Sequence, residues 1–124
     1  MLARSTIGMR VRLPHNPLVG ADAVTQAALK RCSLACKGVV AFYLDEEEAA
    51  HNAFGRRLLQ AAAAIDAAAA ALDADPDERC STFAVAAPIC RAAAMQCRQS
   101  GFDPRLLRAA AACERAAAIC ERRS

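Results

Sequence analysis

Seven of the 124 residues are cysteines: Cys32, Cys36, Cys80, Cys90, Cys97, Cys113 and Cys120. A thiol can close a disulfide, act as a nucleophile, or ligate a soft metal as its thiolate. An odd count excludes a complete internal disulfide set. The first residues carry Arg4, Arg10 and Arg12 but no following apolar h-region. That leads us to expect a reducing, cytoplasmic setting, where a high cysteine count favours metal or plain burial over disulfides. Nucleophilic catalysis would need a polar base beside a thiol, and none recurs at matching spacing. Thiolates select Cu(I), zinc or iron–sulfur clusters. The spacings lack the tight Cys-x-x-Cys pairs of structural zinc and the clustered spacing of ferredoxins. Cu(I) accepts few ligands and varied sulfur geometry, so we expect Cu(I), with Zn(II) second.

These cysteines need elements to position them, and the sequence marks four helices. Alanine, in runs such as 61–64, 67–71 and 109–112, is the best helix former and a poor core filler. Long helices packed closely are the expectation. Asp22 can cap a first helix over 23–44. Asp45-Glu46-Glu47-Glu48 has the capping-box form and opens a second over 46–72. Asp75-Pro76 opens a third over 76–99, and Asp103-Pro104 a fourth over 104–122, just after Gly101. Short connections predict sequential antiparallel neighbours, hence an all-α, antiparallel up-down-up-down four-helix bundle over 22–124. Residues 1–21 are expected to be a basic, poorly ordered arm.

The apolar seams follow coiled-coil steps. Phe54, Leu58, Ala61, Ile65, Ala68 and Leu72 form one. Leu29, Cys32, Cys36, Val39 and Tyr43 form another. In the third helix Phe83, Cys90 and Cys97 share one heptad position, and Cys80, Ala87 and Ala94 the other. Leu106, Cys113 and Cys120 line the fourth. All seven cysteines are thus expected to face inward. Pro88 is expected to kink the third helix and free a carbonyl one turn back.

Counted from the end with the 44/45 and 101/103 turns, Cys36 lies about 9 residues down, Cys113 about 10, Cys90 about 12 and Cys32 about 13. These four are expected to share one layer and form the principal metal site. Cys97 lies nearer the end, about 5 down, and Cys120 and Cys80 deeper, about 17 and 22.

The runs Arg31-Cys32-Ser33-Leu34-Ala35-Cys36, Phe83 to Cys97 and Ala112 to Arg122 resemble the cysteine-rich four-helix-bundle proteins that include the bacterial copper storage proteins. The resemblance spans about 22–123 in helix order and spacing. It implies storage of many Cu(I) ions by cysteines lining every helix, in a homotetramer. Alanine stands at most of those positions here, and the second helix has no cysteine. The expected function is therefore low-capacity Cu(I) binding.

Other chemistry is sparse. Glu48-Ala49-Ala50-His51 has the Glu-x-x-His form of di-iron bundles, but a second copy is missing. His51 could be a ligand at the mouth, though an exposed helix-end histidine fits better. Met95 falls one place off its seam, and His15 lies in the arm. No phosphate loop or Ser/His/Asp set occurs, so no enzyme is expected. A net charge of +3 is too weak to imply nucleic acid, and no run is long and apolar enough for a membrane span. Two other readings use the same residues: a metal-free interaction bundle, in which cysteine is a small core hydrophobe, and a thiol redox sensor.

Overall fold

The structure, a computed structural model, describes residues 20–124. The expected basic arm, with His15, lies outside the described residues but for its last two positions. The described residues are all-α, without a strand. They form α1 (Gly20–Tyr43), a short α2 (Glu46–His51), α3 (Ala53–Ala70) with a 3-10 turn at Ala71–Asp73, α4 (Pro76–Gln99) and α5 (Pro104–Arg123).

The helix starts are where side chains supply the missing backbone partners. At Asp45 the carboxylate accepts from the Glu48 N–H and the Glu48 side chain accepts from the Asp45 N–H, a complete capping box. Asp75 caps α4 through the Glu78 N–H, and Asp103 caps α5 through the Arg105 N–H. Pro76 and Pro104 occupy first-turn positions that need no donor. After α4 the chain turns through Gly101 at φ 147°, a conformation open to glycine and costly for other residues.

The expected second helix is two helices. Asn52 leaves the helical conformation at φ −98°, ψ 130°, ends α2 and caps α3 by accepting from the Phe54 and Gly55 N–H groups. Gly55 makes the break possible. It is buried, and a Cβ there would sit 2.9 Å from the Ala49 Cα and carbonyl oxygen. The α2 backbone thus folds onto the start of α3 too closely for a side chain. By contrast, α4 continues through Pro88. The ring lies on an exposed face, and Ala84, whose carbonyl loses its partner, is also exposed, so water can satisfy it.

Four long helices close a ring: α1 packs on α3 and α5, α3 on α4, and α4 on α5. One core fills it. The largest fully buried side chains are Phe83, Leu29, Leu58, Ile65 and six cysteines. Alanines such as Ala61, Ala68, Ala86, Ala93, Ala109 and Ala117 fill the rest and let the backbones approach. Among the described residues, no helix is long and apolar enough to cross a membrane.

Candidate metal centre

Cys32 and Cys36 stand one turn apart on the inner face of α1, and α5 presents Cys113 to both. The Cys36 and Cys113 sulfurs are 3.4 Å apart, and those of Cys32 and Cys113 3.7 Å. All three lie within 4.8 Å of one another and are fully buried. A metal about 2.3 Å from each of three sulfurs would hold them about 4 Å apart in a plane. The preformed triangle is close to that size, so this group can hold a metal ion.

Cys90 was expected as a fourth member of this layer and does not join the group. It is buried, and it lies near enough to Cys32 to help raise that thiol. It comes from α4, which faces α3 and α5 and lies diagonally opposite α1. A short side chain reaching across the ring meets the nearer α1 thiol only. Cys97 and Cys120 are fully buried, as expected, but stand apart from the triangle. Cys80 corrects the expectation that all seven cysteines point inward: it is exposed, although Ala87 and Ala94 of its heptad position are buried. A straight helix drifts about 20° per heptad from a strict 3.5-residue repeat. Two heptads from Ala94, near the start of α4, that drift carries Cys80 off the seam.

His51 is exposed at the end of α2, where its Nδ1–H donates to the Glu47 carbonyl oxygen at 3.0 Å. Its partner in the Glu-x-x-His pattern, Glu48, belongs to the capping box. The pair is local helix chemistry. Met95 is exposed, in line with its off-seam position.

A family model described as copper storage protein matches residues 21–124. The chain belongs to the copper storage protein family. Searches of curated proteins and of solved structures find no match to it. The family match takes in every cysteine of the chain, the six buried and the one exposed. In this copper storage family member the thiols are not equivalent. Contacts with Cys113 and then Cys32 favour the Cys36 thiolate and hold that thiol below its ordinary value despite burial. Cys113 is pushed far up, by its hydrogen bonds to Cys32 and Cys36 and then by burial. At Cys32 the contact with Cys113 favours the thiolate, but Cys36, Cys90 and burial outweigh it and raise the thiol. The three thiols are thus coupled, with Cys36 the readiest of them to give up its proton. A second and third proton leave only when a cation arrives to offset the added charge.

The α1–α5 seam that builds the triangle carries one feature the cysteine spacing does not report. A groove of about 250 Å³ runs along it, lined by Ala35, Gly38, Val39, Arg105, Arg108 and Ala109. Its sequence signals are a glycine inside a helix and two arginines three residues apart.

Proposed function

We propose that this protein binds Cu(I) at low capacity in the cytoplasm, through core thiolates centred on Cys32, Cys36 and Cys113, and that it is not an enzyme. The observation that carries this is the buried triangle of three sulfurs in a chain of the copper storage family. Thiolates favour soft ions. Zinc in structural sites asks for four ligands in a tetrahedron; the group offers three, and Cys90 stands outside it. Cu(I) accepts three or fewer. Cys90, Cys97 and Cys120 are further inward thiols for additional Cu(I) at higher loading, whereas exposed Cys80 is not part of the core set. Alanine fills much of the rest of the core, which supports low rather than high capacity.

The helices are inferred to alternate in direction, as an up-down-up-down bundle. Contacts between α1 and α5 run in opposite senses: Asp22 with Arg123, Cys32 and Cys36 with Cys113, Phe42 with Arg105. Between α4 and α5, Arg91 meets Glu121 and Arg98 meets Glu114, again with opposed numbering. This geometry is what ties two helices across one ion.

The test is thermal melting of reduced protein with and without Cu(I), in the absence of oxygen. A ligand at 100 times its Kd adds about 2.7 kcal/mol to the native state. We expect Cu(I) to raise Tm in the wild type and to raise it far less in the Cys36→Ala/Cys113→Ala variant. An unchanged wild-type curve at saturating Cu(I) would remove the metal reading and leave a metal-free bundle. The readout is the Cu(I)-dependent shift, because the apo variant loses packing at two fully buried positions.

A further inference from the structure

We infer that the groove between α1 and α5 is where Cu(I) is handed over, from a small anionic thiol that carries it. This rests on the Cu(I) reading above and names the route and the carrier. Free Cu(I) is not stable in water, so in a reducing solution the ion arrives already bound to thiolate, and such complexes are negatively charged.

Place and charge both favour this seam. The groove lies between the two helices that build the thiol triangle. Ala35 is next to Cys36 in the chain, Val39 is one turn beyond it, and Ala109 is one turn before Cys113. The lining near the sulfurs is therefore mostly small side chains. Gly38 keeps the space open, since a Cβ there would meet nothing within 4 Å. Two other seams are bridged on the outside. Lys37 pairs with Asp66 across α1 and α3, and Arg91 with Glu121 and Arg98 with Glu114 across α4 and α5. The ion pair of the α1–α5 seam, Arg123 with Asp22, joins the first turn of α1. That is fourteen residues from Cys36, or about 21 Å along the helix. At the groove the seam instead presents two cations. Arg105 stacks over the Phe42 ring at 3.8 Å, which leaves its charge in place. Arg108 is exposed and has no ion pair among the described residues. The nearby carboxylate, Asp103, accepts from the Arg105 N–H at the helix cap and acts on both arginines, so this end of the groove keeps one net positive charge.

The transfer is ligand exchange without redox change. A bond from Cu(I) to the carrier sulfur breaks as a bond to a triangle sulfur forms. The proton released by the cysteine thiol goes to the departing carrier thiolate. Copper remains Cu(I), and three such exchanges complete the site.

Stopped-flow transfer to the reduced protein separates the parts, with Cu(I) supplied as its anionic glutathione complex or as its cationic acetonitrile complex. Gly38→Leu should slow transfer from both carriers by filling the groove. Arg108→Glu should slow transfer from the glutathione complex by about tenfold at low salt, with the effect fading as ionic strength rises. It should not slow transfer from the cationic acetonitrile complex. The Cu(I) affinity, read by competition with a chelator, is set by the sulfurs and should stay at the wild-type value in both variants. Circular dichroism verifies that each variant is folded. Wild-type rates in folded Gly38→Leu would overturn the groove as the route. Equal slowing of both carriers by Arg108→Glu would overturn the anionic carrier. A wild-type protein that takes up no Cu(I) from either carrier instead refutes the function on which the inference rests.

Discussion

Among individual residues, Cys113 matters most. It is the sulfur within 3.7 Å of both α1 thiols, so its loss removes the contact between helices, while Cys90 touches the group at one corner. Cys113→Ala should weaken Cu(I) binding more than Cys90→Ala, measured by chelator competition. The buried thiols also set the alkaline limit of the apo protein. Burial raises Cys97 and Cys120 to about 11 from an ordinary 9. The unfolded chain therefore loses these protons from pH 9 upward while the native state keeps them. Their contribution to native stability holds below pH 9, falls between pH 9 and 11, and flattens beyond. The loss should amount to roughly 1–3 kcal/mol per thiol at most. Urea unfolding of reduced protein across that range reads it, and a midpoint rising with pH would contradict it.

For the helices, the informative positions are those where the chain breaks or has room. Asn52→Ala removes the two hydrogen bonds that start α3 and should cost about 1 kcal/mol. Gly55→Ala should cost more than a cap, because its Cβ would press on the α2 backbone at 2.9 Å, where nothing flexible can give way. Gly38→Ala should go the other way. It is exposed, in mid-helix and unobstructed, so alanine should add up to about 1 kcal/mol. Urea unfolding should rank them, from most to least stable, as Gly38→Ala, Asn52→Ala and Gly55→Ala, with Gly38→Ala alone above the wild type.

The whole molecule exposes one thiol and several large apolar side chains. Six cysteines are buried and Cys80 is exposed. A thiol reagent should modify Cys80 rapidly in the native reduced protein and the other six only in denaturant. Rapid native labelling of several would favour a redox sensor. Val24, Leu34, Val85, Met95 and Phe102 are each more than half exposed, with Phe102 at 89%. A small, alanine-filled core gains from covering such surface. We expect a homo-oligomer, in keeping with the tetramer implied by the family resemblance, and a mass in sedimentation that rises with concentration.

Much of this was legible in the sequence because it is local. Asp45, Asp75 and Asp103 cap whatever follows them, and alanine-rich heptads propagate as helix without help from elsewhere. Those features predicted the helix starts at 46, 76 and 104, the all-α class and the inward placing of six cysteines. The pairing of Cys32 and Cys36 follows from one helical turn. The tertiary structure decided what depends on neighbours. Asn52 reads as a mid-helix residue until the fold brings Ala49 against Gly55 and makes a break there favourable. Equal depth along the bundle put Cys90 in the layer, but depth is one coordinate of three, and its place across the ring kept it out of the triangle. Cys80 left the seam because helix twist accumulates away from the contact that sets the register, a rotation that a count of residues does not carry.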